Sequence, residues 1–301
     1  MRIVVLFFIL LLTLMLIYSL DHKYQEDMKN KHLPVSIVSN VKDIELPNVL
    51  YQKSIPKKIY RCYKDKEATE FRSVFKKTQE IMPDYEQIIY DDDDIEQFIR
   101  TNFSERIYSA YKHINPIYGA AKADFFRYLV LYYHGGVYFD IKTGPIKDPR
   151  KIINENSGKL ITSYGNGGLP KGYLPNFLIN KITGSTDYDW SPFTKTPYME
   201  YQQFYIVCPQ GHPVMANIIR QVVSNIEDGV KDKTLYASGK ISVVAMSGPI
   251  SYTLAIKNSP QDNVKIFRFP LDGTVKHHLI DYKKIMKNSH YSKQKDLHVV
   301  I

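Results

Sequence analysis

The stretch Ala120-Ala121-Lys122-Ala123-Asp124-Phe125-Phe126-Arg127, followed beyond an apolar run by Gly135-Gly136-Val137-Tyr138-Phe139-Asp140, concentrates the chemistry of this chain. Ionised side chains in such apolar surroundings are costly unless they are paired or engage a ligand. Asp124 and Arg127 stand three apart and so share one helical face, and the plain reading of the two is a structural ion pair. The residues that follow shift the balance. A double glycine lets the backbone turn sharply, and the strand after it ends in the carboxylate of Asp140. An acid at the carboxyl end of a buried strand points into the crevice where open α/β sheets bind ligands.

The elements that must position these groups can be read in outline. Asn115-Pro116 opens a long helix over about residues 118–133, which His134-Gly135-Gly136 terminates. Residues 137–141 then read as a buried strand. Upstream, residues 58–63 and 85–90 read as strands, 70–82 as a helix stopped by Pro83, and 95–103 as a second helix. From Ile55 to Ile301 short apolar runs alternate with amphipathic segments, which predicts one α/β domain.

With 301 residues and 44% hydrophobic content the chain can fill a real core, which excludes a fully disordered polymer. Two cysteines, Cys62 and Cys208, exclude a disulfide scaffold and a four-cysteine zinc site. A net charge of +9 over this length is modest, and no nucleic-acid partner is expected. Residues 3–20 carry no charge; as a helix they span roughly 27 Å, close to the hydrocarbon thickness of about 30 Å. Tyr18-Ser19-Leu20-Asp21 lacks a small-x-small cleavage pattern, so this segment is expected to be an uncleaved signal anchor in the lipid bilayer. The expected organisation is a tail at 1–2, the transmembrane anchor at 3–20, a stem or linker at 21–54 and the main domain at 55–301. That makes a single-pass, type II membrane protein whose domain faces a Golgi- or ER-type lumen or the exterior.

The segment AKADFFRYLVLYYHGGVYFDIKT resembles the A-x-S-D-x-x-R … G-G-x-Y-x-D-x-D core of the sugar-binding DXD glycosyltransferases, family 32. IPKKIYRCY is similar to that family's opening strand, YEQIIYDDDDIEQFI to its acidic block, and Ser247-Gly248-Pro249 to its later T-G-P turn. The resemblance implies a GT-A type, Rossmann-like nucleotide-diphospho-sugar transferase fold. It also implies transfer of a hexose from GDP-mannose or a UDP-hexose to a hydroxyl of a glycan, glycolipid or glycoprotein, with retention at the anomeric carbon. By position, it puts Asp124 and Arg127 on the donor sugar's hydroxyls and Tyr138 by the nucleotide. Asp140 becomes the first acid of D-x-D, holding Mn2+ or Mg2+ against the diphosphate, where carboxylate oxygens suit a hard cation. Gln203 falls roughly where the family has an Asn near the donor or acceptor sugar. The family often brings a His to the site from its C-terminal part, for which His290 is the metal candidate. His277 and His278 are less favoured, because adjacent side chains on a strand diverge.

One residue departs from the family's pattern: the second acid of D-x-D is Lys142. If the strand continues, residues 140 and 142 face the same way, and an ammonium stands where a metal-binding carboxylate is expected. Either Asp140 holds the metal with help from elsewhere, or Lys142 itself screens the diphosphate. A catalytically inactive nucleotide-sugar or glycan-binding membrane protein is the further alternative. Asp91 to Asp94 read as a helix N-terminal cap rather than the centre of a metal phosphohydrolase. The glycine-rich 164–170 segment reads as a loop, His212 as a structural turn residue, and Trp190 as partly buried packing.

Overall fold

The computed structural model describes residues 43–165, 200–233 and 239–280, all within one compact unit of the chain, Val35–Ile301. The expected anchor at 3–20, Trp190 and His290 lie outside the described residues. Among the described residues no helix is long and apolar enough to cross a membrane.

Strands β1 (Lys58–Cys62), β2 (Glu86–Tyr90), β3 (Gly136–Phe139), β5 (Leu160–Ser163), β6 (Tyr205–Cys208) and β7 (Val264–Phe267) form one sheet in the order β2-β1-β3-β6-β5-β7. β1 runs parallel to both β2 and β3, β6 is antiparallel to β3 and β5, and β7 is parallel to β5. Only β6 is therefore reversed. The carboxyl ends of the parallel strands gather along one edge with the residues that enter β6, which is where a ligand crevice forms in such sheets. β4 (Gly144–Pro145) and β8 (Val275–Lys276) pair separately beside that edge.

Helices α1 (Arg72–Ile81), α2 (Asp92–Asn102), α3 (Glu105–His113) and α4 (Gly119–His134) precede β3. Downstream lie α5 (Arg150–Glu155), α6 (Pro213–Lys231), α7 (Gly239–Met246) and α8 (Pro249–Lys257). Asp91 caps α2 as its composition predicts: its carboxylate accepts from Asp94 N at 2.9 Å while Asp94 accepts from Asp91 N at 3.2 Å. His212 caps α6 through Nδ1, which accepts from Val214 N at 3.3 Å. α4 is buried over nearly its whole circumference, from Ala121 to Tyr132, so its few polar groups must find partners inside the protein.

Residues 43–54 pack on the domain: Ile44 is 1% exposed, and its carbonyl accepts from Arg220 Nε at 3.2 Å. The turn from α4 into β3 needs both glycines. Gly135 has φ +67° and Gly136 φ +108°, and a Cβ on Gly136 would sit 2.7 Å from the Lys58 carbonyl oxygen on β1. β3 ends at Phe139, two residues before the expected end at residue 141, because the chain turns there to make a Thr143 N to Asp140 O bond of 2.8 Å. Replacing Gly136 by Ala is expected to cost about 1–3 kcal/mol through the disfavoured φ alone, read as a lower urea midpoint at unchanged slope.

Candidate active site

Asp124, Arg127 and Asp140 converge. Arg127 Nη1 lies 2.7 Å from Asp124 Oδ1, across one turn of α4, and Nη2 lies 3.1 Å from Asp140 Oδ1, just past β3. The guanidinium carbon sits over the Tyr138 ring, 4.9 Å from its centroid. Tyr138 in turn contacts Cys62 Sγ through its hydroxyl at 3.2 Å. Cys62 and Tyr138 thus form the underside of Arg127. Tyr138, expected beside a nucleotide, is 1% exposed and presents no open face to one.

Burial differs across the trio. The side chains of Arg127 and Asp124 are 6% and 9% exposed, whereas that of Asp140 is 25% exposed, so Asp140 is the member that an incoming ligand meets first. Burial drives the Asp124 carboxyl up to about 7 against the pull of Arg127. For Asp140 burial acts the same way but is overcome by Arg127, His277 and Lys142, which hold its carboxyl down at about 2.

His277 is the histidine that reaches the site among the described residues. Its ring stacks on Phe204 with centroids 4.3 Å apart and planes at 9°, which sets Nε2 3.6 Å from Asp140 Oδ2. The expectation that His277 and His278 diverge is corrected: β8 stops at Lys276, and beyond it the two rings lie 4.2 Å apart. The expected continuation of the strand to Lys142 is corrected likewise. Residues 141 and 142 form a turn rather than strand, so strand alternation does not aim the ammonium. Lys142 is still close enough to Asp140 for each to shift the other's ionisation.

Gln203 is 7% exposed and belongs to the wall behind α4. Its amide donates to the Tyr128 hydroxyl, which itself donates to the Ser247 carbonyl at 2.9 Å. The Ser247-Gly248-Pro249 turn depends on its glycine, since a Cβ there would meet Val244 Cα at 2.6 Å.

A divalent cation finds a partial fit here. His277 Nε2 is buried with no hydrogen-bond partner and faces a carboxylate oxygen, and one imidazole plus one carboxylate can occupy adjacent positions around such an ion. No group of three or more His, Cys, Asp or Glu side chains suited to a metal occurs among the described residues. Phosphate oxygens or water must then supply the remaining ligands, as they commonly do for phosphate-bound cations.

Sequence reasoning missed two residues of this neighbourhood, Arg61 and Phe204. Arg61 carried a signal, because a charge within the apolar run Ile59-Tyr60-Arg61-Cys62-Tyr63 must have buried partners. Phe204 carried none.

Sheet and side chains together define an α/β protein with a charged cluster at the carboxyl edge of its parallel strands. Over residues 68–159 the chain matches the family described as the glycosyltransferase sugar-binding region containing DXD motif. It is 27% identical over 247 residues to the initiation-specific alpha-1,6-mannosyltransferase of Schizosaccharomyces pombe, covering 79% of this chain and 56% of that protein. It is 32% identical over 94 residues to inositol phosphoceramide mannosyltransferase 3 of the same organism, covering 30% of this chain and 25% of that one. The chain thus spans between a quarter and somewhat over half the length of these relatives. Among solved structures, the PaToxG glycosyltransferase aligns with a TM-score of 0.41 at 16% identity, over 73% of each chain.

The low pKa of Asp140 is a statement about stability. Its folded value of about 2 lies below the usual aspartate value near 3.9, so the ionised form stabilises the fold above about pH 4 and the gain is lost as pH falls toward 2. Urea midpoints between pH 5 and pH 2 should show the wild type losing roughly 2 kcal/mol more than Asp140→Asn.

Proposed function

We propose that this protein is a membrane-anchored glycosyltransferase with a GT-A type fold, moving a hexose from GDP-mannose or a UDP-hexose to a hydroxyl of a glycan, glycolipid or glycoprotein. The observation that carries this reading is the Asp124–Arg127–Asp140 trio, which lies wholly within the family-matched segment and at the ligand edge of the sheet. The uncharged run at residues 3–20 supports the anchor, and with it a lumenal or exterior site.

In the reaction the bond from the anomeric carbon to the phosphate oxygen breaks as the acceptor oxygen bonds to that carbon, and the nucleoside diphosphate leaves with added negative charge. Asp140 and His277 are the residues that would hold Mn2+ or Mg2+; bound there, the cation would neutralise that charge. Lys142 adds a fixed positive charge on the same turn, compensating in part for the carboxylate it replaces. Arg127 keeps Asp140 ionised and oriented, and the Arg127–Asp124 pair behind it orients the hydroxyls of the donor hexose. Gln203 shapes the wall behind them. Retention follows from the family resemblance, and on that path the departing phosphate takes the acceptor's proton.

The purified protein, offered a panel of UDP- and GDP-sugars with Mn2+ and a glycan or glycolipid acceptor, should release nucleoside diphosphate from one donor. Asp140→Ala and Asp124→Ala should each reduce that release at least a hundredfold while the circular dichroism spectrum stays native. Nucleotide-sugar binding without turnover in the wild type would replace the enzyme by a binding protein, the alternative that Lys142 invites.

A further inference from the structure

Arg61 is a fully buried cation on β1, 0% exposed, that makes no ion pair with the carboxylates of the trio and meets Asp140 through its backbone. Nη1 donates to the carbonyl oxygen of Asp140 at 2.9 Å and also to that of Thr143, while Nη2 donates to Thr78 Oγ1 at 3.1 Å. The guanidinium carbon is sandwiched between Phe75 and Phe139, 5.1 and 5.3 Å from the ring centroids. Burial pulls its pKa down to about 9, so it remains charged at neutral pH. Its Nε is buried without a hydrogen-bond partner.

A guanidinium with an unsatisfied N–H, facing carbonyls and a hydroxyl, is a costly way to hold a core together; apolar residues of the same volume often serve as well or better. What it grips explains the cost. The two carbonyls belong to the first and last residues of the Asp140–Thr143 turn, the segment that presents Asp140 and Lys142. The same turn carries the C-terminal strap: Thr143 Oγ1 donates to the His277 carbonyl at 3.3 Å, Leu279 N donates to the Lys142 carbonyl at 3.1 Å, and Gly144 pairs with Lys276. A side chain at Gly144 would collide with Leu279 Cδ1 at 2.8 Å and with Thr78 Oγ1 at 3.0 Å, so the sequence keeps this corner open for the clamp.

We infer that Arg61 is a positioning residue for the diphosphate-binding turn, acting through the backbone of Asp140 and Thr143 to hold Asp140, Lys142 and His277 in register. The inference rests on the glycosyltransferase reading for what the turn binds, but not for the clamp itself. A misplacement of about 1 Å in such a group costs on the order of a hundredfold in rate. No atom of Arg61 need touch the donor.

Arg61→Met, of similar volume, tests this in the full-length protein. Expected are a ten- to hundredfold fall in kcat per folded molecule, and hydrogen exchange accelerated in segments 140–146 and 275–280 but not in α6. Arg61→Lys, whose ammonium can still reach one carbonyl, should recover part of both. Unchanged kcat and unchanged local exchange would overturn the inference, as would a lower Tm with exchange raised evenly over the sheet, which marks ordinary core packing. Should Arg61→Met fail to fold, Thr78→Val removes the Nη2 acceptor along with the Thr78 hydroxyl's bond to the Val74 carbonyl within α1, and the same two segments, rather than α1 alone, must respond. If the wild type transfers no hexose from any donor, the glycosyltransferase reading fails. The clamp is then judged by the exchange pattern and by calorimetric affinity for UDP and GDP, where equal values for wild type and Arg61→Met would overturn it.

Discussion

Arg127 is held between two carboxylates inside a nearly dry environment, and most of what surrounds it can be understood as keeping that arrangement tolerable. One cation cannot neutralise two buried acids, so removing it would leave Asp124 and Asp140 facing each other with little water to separate them. The excess negative charge falls on Asp140, the more exposed acid, where Lys142 and His277 also act on it. Asp124 carries no such help and its carboxyl is driven upward instead. Two aspartates bound to the same guanidinium therefore differ widely in acidity because His277 and Lys142 act on one and not on the other.

That arrangement sets demands on the backbone. α4 must end and β3 begin within two residues, close against β1, which only glycines allow at these dihedral angles. β6 must run antiparallel, because its entering residue Phe204 supplies the carbonyl that receives Asp140 N at 2.8 Å and the ring on which His277 stacks. The chain returns to β8 through Leu271 and Asp272, both with positive φ. Such a conformation costs about 1–3 kcal/mol per residue and persists because Leu271 is fully buried and donates its N–H to the Tyr205 hydroxyl at 2.9 Å. Strain in that turn is the cost of bringing His277 to the opposite side of Asp140.

Lys142 is where the site departs from the D-x-D pattern that the segment otherwise resembles. On the proposed reading, a cation bound by one carboxylate and one imidazole carries less ligand charge than one bound by two carboxylates, so the diphosphate must contribute more to holding it. The fixed ammonium lowers the same demand by neutralising part of the diphosphate charge directly. The first effect ties cation binding to the arrival of the donor, and the second reduces how much charge the cation must neutralise.

Much of this was open to sequence reasoning because it is local. The helix bearing Asp124 and Arg127, the double-glycine stop, the buried strand after it and the aspartate cap of α2 follow from spacing, propensity and capping, and they belong to the segment whose pattern resembles the family. What the sequence could not supply was any relation that depends on two distant segments meeting. The stacking of Phe204 and His277, the grip of Arg61 on carbonyls some eighty residues away, and the docking of residues 43–54 join parts of the chain with no common period. The extent of the strand before Lys142 was misjudged for a related reason. Alternation holds only while a strand continues, and this one is ended by a turn that Arg61 and the 277–279 strap hold in addition to its own Thr143 N to Asp140 O bond. Sequence thus determined which groups carry charge and on which elements they stand; tertiary structure decided which of them meet, because desolvation and pairing act through space and only the folded sheet edge brings those groups within reach.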